Sequence, residues 1–183
     1  MNLNLYKKVE EFVVNAFEKA DKPTDAWHAK RTAYWIKKTK PTASEALLIA
    51  GLAHDIERAF HGDWKKGSAD VTMLKKHQEL SAKEITKFLK KEKAEEKLIS
   101  EVKKLILHHE EGGNDEQNIL CDADCLAYFE EKALRNAKEY KKQGKEKEMK
   151  KKLDYVFSRI NLTKAKKIAQ KWYDQAIKKL GYD

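Results

Sequence analysis

The chain has 183 residues, enough for one domain with a substantial core. Charged residues make up 38% of it, and its 2 prolines and 7 glycines are too few for a sandwich or barrel of short strands, so long helices are favoured. No early apolar run has the length of a signal peptide or a membrane span, so we expect a cytoplasmic protein without a membrane segment. We therefore predict an all-α fold in which residues 1–183 form a single domain.

The spacing of apolar residues predicts about seven helices in chain order. The first includes Leu5 to Phe17 and ends before Pro23, and the second covers about residues 25–38. Thr42, with Glu45 three residues later, predicts a capping box for a third, strongly apolar helix that leads to His54 and Asp55. Later apolar periods predict helices over about residues 71–91, 94–109 and 118–142, and a last apolar stripe runs through residues 149–160 and 168–180.

The net charge of +9 is concentrated near the C-terminus. Residues 132–183 hold 17 Lys or Arg and 6 Asp or Glu, whereas residues 1–131 hold 22 and 24. Such a segment can bind a phosphate backbone, which makes nucleic acid the second choice of partner. Its lysines alternate with a regular apolar stripe, however, and this pattern favours basic helices over about residues 131–183 that pack on the same core.

Histidines and carboxylates interrupt the apolar helix faces at several places. They are His28, His54, Asp55, His77, His108, His109, Asp122 and Asp124. A single buried histidine is usually a hydrogen-bonded core residue, but several on separate helices need partners, and a shared metal ion would satisfy them together. Imidazole and carboxylate ligands suit a divalent Mn, Fe, Co, Ni, Zn or Mg ion.

The order and context of these residues resemble a known family. His28 in "WHAKRTAYWIKK", the dipeptide His54-Asp55 in "LLIAGLAHDIER" and Asp124 in "LCDADCLAYFE" resemble the H…HD…D signature of the HD superfamily of metal-dependent phosphohydrolases. The resemblance spans nearly the whole chain and implies an HD-domain-like helical bundle, with metal-site helices over about residues 24–130. It also implies that His28, His54, Asp55 and Asp124 bind a metal ion, and that a metal-activated water hydrolyses a nucleotide or related phosphate ester.

Further histidines resemble the extra ligands of the binuclear members, which include the HD-GYP cyclic-dinucleotide phosphodiesterases. This resemblance implies a second metal site in which His77, His108 and His109 join a bridging Asp55. The alternative is that these histidines bind phosphate or orient another ligand. The Gly-Tyr-Pro element is absent from "HHEEGGNDEQN", so hydrolysis of cyclic-di-GMP is not expected.

Arg58 lies three residues after Asp55, where those phosphodiesterases place a lysine that contacts phosphate. We therefore expect Arg58 to bind substrate phosphate and to act with Asp55 in catalysis. Lys65 and Lys66, in the polar loop "HGDWKKGSAD", are further candidates for phosphate binding.

Three functions remain open at this point. The first is hydrolysis of a small-molecule phosphate ester, and the second is binding or cleavage of a nucleic acid through the basic C-terminal helices. The third is a non-catalytic helical protein whose metal site only stabilises the fold.

Overall fold

A computed structural model describes residues 3–63 and 71–182, and within these ranges the chain forms helices and no strand. The elements in chain order are α1 (Leu3–Lys19), α2 (Pro23–Thr39), α3 (Glu45–Ala53), α4 (Arg58–His61), α5 (Val71–Lys91), α6 (Glu96–Ile106), α7 (Asp115–Tyr128), a π-helical segment (Phe129–Ala133), α8 (Leu134–Lys142), α9 (Glu146–Ser158) and α10 (Thr163–Leu180). The predicted all-α fold is confirmed. None of the helices in this part of the chain combines the length and apolar character that crossing a bilayer requires.

Helix α3 forms the centre of the bundle. Every residue from Ala46 to Ala53 is buried, and a helix that is apolar on all sides must be covered on all sides. Helices α1, α2, α5, α6 and α7 all contact it. At Gly51 the backbone of α3 lies so close to α2 that a Cβ atom would collide with Ile36. The end of α3 is therefore held firmly inside the protein.

The N-terminal caps of α3 and α7 place the starts of these helices at residues other than the predicted ones. Helix α3 is capped by Ser44, whose Oγ accepts a hydrogen bond of 3.1 Å from the Leu47 N–H, so the predicted cap at Thr42 is wrong. The reason is a preceding turn, closed by a hydrogen bond from the Ala43 N–H to the Lys40 carbonyl. Helix α7 begins at Asp115 rather than near residue 118 because Asn114 and Gln117 form a reciprocal capping box.

The long helix predicted over residues 118–142 is interrupted by the π-helical segment. There, Glu130 accepts hydrogen bonds of 2.7 and 2.8 Å from the Arg31 guanidinium and one of 2.9 Å from the Trp35 indole N–H. A π turn shifts the side chains that follow it around the helix axis. Lys132, within this segment, lies on the wall of the cavity described below.

Candidate metal centre

His54 and Asp55 lie in a tight turn directly after α3. The Ile56 N–H donates to the Ala53 carbonyl, and the Arg58 N–H donates to the Asp55 carbonyl. Both side chains are inside the protein, since His54 is fully buried and only 6% of Asp55 is exposed. Buried groups of this polarity need partners, and these come from four other parts of the chain.

The first group of partners joins the turn to α2 and α7. His28 Nε2 lies 2.9 Å from Asp124 Oδ1, and His54 Nε2 lies 3.5 Å from the same oxygen and 3.8 Å from Asp55 Oδ2. The Nδ1 of His54 is 3.0 Å from the Gly51 carbonyl, which can only accept, so Nδ1 carries the proton. The Nε2 lone pair of His54 is therefore directed at the centre, and this buried atom has no hydrogen-bond partner among the described residues.

The second group of partners lies close to the other carboxylate oxygen of Asp55, Oδ1. Asp55 Oδ1 is 3.0 Å from His77 Nε2 on α5 and 3.9 Å from His109 Nε2 in the turn after α6. The two Nε2 atoms are 3.3 Å apart, while His77 Nδ1 donates to Glu57 and His109 Nδ1 donates to the Ile106 carbonyl. Two neutral imidazoles in this arrangement direct lone pairs at each other, so a proton or a cation between them is required.

These residues form two triplets of ligand atoms, each compact enough for one metal ion. His28, His54 and Asp55 make one triplet, and Asp55, His77 and His109 make the other. Ligand atoms bound at about 2.1 Å to one ion lie about 3 Å from their neighbours, close to the separations described above. The unpartnered Nε2 of His54 also fits such a role. The protein thus contains buried His and Asp groups that could hold a metal ion, with Asp55 common to both.

The carboxylates of the centre and His109 have the charge states that metal binding needs, whereas a proton competes for His54 and His77, whose pKa values are raised by the neighbouring carboxylates. Burial alone would raise the pKa of Asp55, but Arg58 and the neighbouring imidazoles outweigh it and hold that pKa well below its usual value. Burial is also outweighed at Asp124, where the hydrogen bond from His28 and the nearby His54 and Arg159 side chains hold the pKa well below its usual value. Burial and the nearby imidazoles lower the pKa of His109 strongly. Ionised carboxylates and a neutral imidazole are the forms that bind metal ions.

Two arginines lie beside the two carboxylates. Arg58 Nη1 is 2.8 Å from Asp55 Oδ2, and Arg159 Nη2 is 3.3 Å from Asp124 Oδ2. Arg159 Nη2 also lies 3.0 Å from Glu110 Oε2. Sequence analysis missed Arg159 and Glu110. The sequence does contain one indication of Arg159. The last third of the chain has many lysines but only two arginines, Arg135 and Arg159, and arginine is the basic residue typical of buried ion pairs.

Some predicted site residues lie elsewhere. The His108 side chain is 46% exposed and 3.4 Å from Glu111, so the expectation that it joins His77 and His109 is corrected. Helix α6 ends at Ile106, and neighbouring residues of the turn that follows point in different directions. Lys65 and Lys66 are outside the described residues.

Asp122, next to Asp124 in the motif, also lies away from the centre. Its oxygens accept hydrogen bonds of 2.6 and 2.9 Å from the N–H groups of Asn161 and Leu162. It therefore fixes the turn that precedes α10.

A cavity of about 770 Å³ connects the centre with the C-terminal helices. His28, Asp55 and Asp124 line it together with Arg58 and Arg159. Lys132, Lys151 and Lys152 line it as well, so part of the basic C-terminal third shares a cavity with the candidate metal ligands.

Fold and site together define an all-α protein with a buried His–Asp cluster that could hold metal ions. Residues 10–180 match the family described as "Domain of unknown function (DUF4202)", and the chain belongs to that family. No curated protein and no solved structure matches the chain.

Proposed function

We propose that this protein is a metal-dependent phosphohydrolase of the HD superfamily type, acting on a nucleotide or a related phosphate ester. One observation carries the proposal: His28, His54, Asp55 and Asp124 are separated widely in the sequence, yet they converge at a cavity beside two arginines. The order of these four residues resembles the superfamily signature, and their convergence is the arrangement that such a signature requires.

The ligand set supports a centre of one or two divalent ions. His28, His54 and Asp124 would hold one ion with Asp55, and His77 and His109 would hold the other with Asp55. When bound, a divalent ion supplies Lewis-acid polarisation of a phosphoryl oxygen and a water with a pKa lowered towards about 7. The Gly51 and Ile106 carbonyls fix the ring orientations of His54 and His109, which keeps each Nε2 directed at the centre.

The arginines provide the charge that a phosphoryl group needs. Arg58 and Arg159 both line the cavity, one beside each aspartate of the centre. Guanidinium groups present several N–H donors in a plane and bind phosphate oxygens in pairs. We assign them the neutralisation of the negative charge that develops on the phosphoryl oxygens during hydrolysis. Their ion pairs with Asp55 and Asp124 keep both groups in place before substrate binds.

The proposal is tested by hydrolysis assays with purified protein loaded separately with Mn, Fe, Co, Ni, Zn or Mg. The substrates are a panel of phosphate monoesters and diesters, including nucleotides and the 4-nitrophenyl esters. We expect turnover that depends on the metal and falls at least about 100-fold in Asp55→Asn, with Arg135→Ala as an active control. Arg135 pairs with Glu131 on the protein surface.

Two results would overturn the proposal. If no ester is hydrolysed with any metal, and Asp55→Asn only lowers the melting temperature, the centre has a stabilising role. If single-stranded RNA binds with a steep salt dependence and is the sole substrate cleaved, the basic helices serve a nucleic-acid enzyme instead.

A further inference from the structure

The cavity is much larger than a single phosphoryl group requires. Its volume of about 770 Å³ is within the range of about 300–1,000 Å³ that is typical of pockets for whole organic ligands. Asp55 lies at its buried end, whereas Lys151 and Lys152 line it and are exposed to solvent. The remaining volume between these two ends is available for the rest of the substrate.

One face of α9 forms much of the wall between the two ends. Glu148, Lys152, Tyr155 and Arg159 all line the cavity, and their spacing of four, three and four residues places them on one side of a helix. Arg159 is at the buried end beside Asp124. Lys152 is seven residues earlier, which corresponds to a rise of about 10 Å along the helix axis.

The exposed end of this wall is rich in positive charge. Lys151 and Lys152 are adjacent there, and Lys152 Nζ lies 5.5 Å from the centre of the Tyr128 ring, another part of the cavity wall. Among the described residues of α9 that line the cavity, Glu148 is the one with an acidic side chain. Asp154, also on α9, is not part of the lining and pairs with Lys150 at 2.8 Å.

Tyrosine side chains form another part of the cavity wall. Tyr128, Tyr140 and Tyr155 line the cavity, together with the amide side chain of Asn136. Aromatic rings with a polar edge contact the flat or apolar body of an organic molecule, and the amide can bind its hydroxyl or carbonyl groups. The wall therefore offers cations at both ends, with the ring of Tyr155 between Lys152 and Arg159 along α9.

We propose that the exposed end of the cavity is a subsite for a second phosphate group, and that the substrate is an organic bisphosphate. This inference rests on the proposed function, since it assigns the scissile phosphate to Arg58, Arg159 and the candidate metal ligands. Lys151 and Lys152 bind the second phosphate, about two helical turns away, and the tyrosines contact the organic body between the two groups. A pyrophosphate is too short to reach both ends.

Equilibrium binding tests the subsite without relying on turnover. Titration calorimetry at low ionic strength compares fructose 1,6-bisphosphate with fructose 6-phosphate, and adenosine 3′,5′-bisphosphate with adenosine 5′-monophosphate, as probes of the Mn-loaded protein. We expect each bisphosphate to bind at least about tenfold more tightly than its monophosphate, which corresponds to one added charge-assisted contact. Lys151→Ala/Lys152→Ala should reduce this preference to less than about threefold.

The matched control is Lys147→Ala/Lys150→Ala. These two lysines are on the same helix and carry the same charge, but they are not among the lining residues. The control should keep the full preference. Equal affinities in the wild-type protein, a preference that survives Lys151→Ala/Lys152→Ala, or an equal loss in both double variants would overturn the subsite.

The two proposals can fail separately. Hydrolysis of phosphate esters by a protein that shows no bisphosphate preference would retain the proposed function and overturn the subsite. A bisphosphate preference that depends on Lys151 and Lys152, in a protein without turnover, would retain the binding site and overturn the proposed function.

Discussion

Glu57 and His77 form a buried carboxylate–imidazole pair in which Glu57 Oε1 lies 2.6 Å from His77 Nδ1. Glu57 is completely buried and His77 is 4% exposed. Because Nδ1 donates to Glu57, Nε2 is the nitrogen directed at Asp55, 3.0 Å away. A carboxylate behind a ligating histidine fixes the ring orientation and increases its basicity.

The first prediction concerns Glu57→Gln. We expect the affinity for the ion at Asp55, His77 and His109 to fall by about 10–100-fold, because the neutral amide orients His77 less strongly. Titration calorimetry with Mn²⁺ measures the affinity, and elemental analysis gives the number of ions bound. Glu84→Gln is the control, since Glu84 is on the same helix as His77 but pairs with Lys87. A metal isotherm identical to that of the wild type would refute a positioning role for Glu57.

The second prediction concerns Arg58→Ala. The guanidinium 2.8 Å from Asp55 is assigned to the phosphoryl oxygens, so its removal should lower kcat/KM for phosphate esters by about 100–1,000-fold. The number of bound ions should stay unchanged, because Arg58 is not a ligand. Steady-state kinetics and elemental analysis of the same preparation check both parts. Unchanged kinetics with full metal content would show that Arg58 has no part in the reaction.

The third prediction concerns pH. Burial alone would lower the pKa of His77, but hydrogen bonds to Asp55 and Glu57 outweigh it and raise the pKa to about 9. In the metal-free protein, the stability contributed by the charged ring is fully present below pH about 6.5 and is lost as the pH rises through about 9.

As the pH rises over this interval, the free energy of unfolding of the wild type should therefore fall by about 3 kcal/mol relative to that of His77→Gln. Urea denaturation at pH 6.5, 7.5, 8.5 and 9.5, with a chelator present, measures the difference. A difference that stays constant or grows with pH would contradict the assigned proton.

The fourth prediction separates two neighbouring aspartates. Asp122→Ala should lower the free energy of unfolding by about 1–3 kcal/mol, because the N–H groups of Asn161 and Leu162 lose their acceptor. The number of bound ions should not change. Asp174→Ala, an exposed residue of α10, is the control for urea denaturation. Loss of a bound metal ion at unchanged stability would instead assign Asp122 to the centre.

The different positions of Asp122 and Asp124 could not be predicted from the sequence. The apolar period predicted the helix that contains "CDADC", and the signature singled out Asp124. The tertiary position of each side chain depends on which face of α7 meets α2 and which meets the turn before α10. Residues two apart on a helix point in nearly opposite directions, so Asp124 contacts His28 while Asp122 contacts Asn161.

Side-chain positions that depend on turns and on distant segments were equally unpredictable from local sequence patterns. His108 and His109 are equivalent in the sequence, but the turn after α6 exposes one and buries the other. Arg159 reaches Asp124 only because α9 ends beside α7, a packing detail that local periodicity does not contain. The helices were predictable from local patterns, whereas the composition of the centre depends on contacts between residues far apart in the chain.

Asp55 belongs to both triplets of ligand atoms, and we expect two metal ions to share it in the loaded protein. Crystals of the Mn-loaded protein, measured at a wavelength with strong anomalous scattering from Mn, test it most directly. We expect two anomalous peaks about 3.5–4 Å apart on either side of Asp55, one beside His28 and His54 and the other beside His77 and His109. Fully loaded crystals with fewer than two anomalous peaks within bonding distance of Asp55 would show that two ions do not share it.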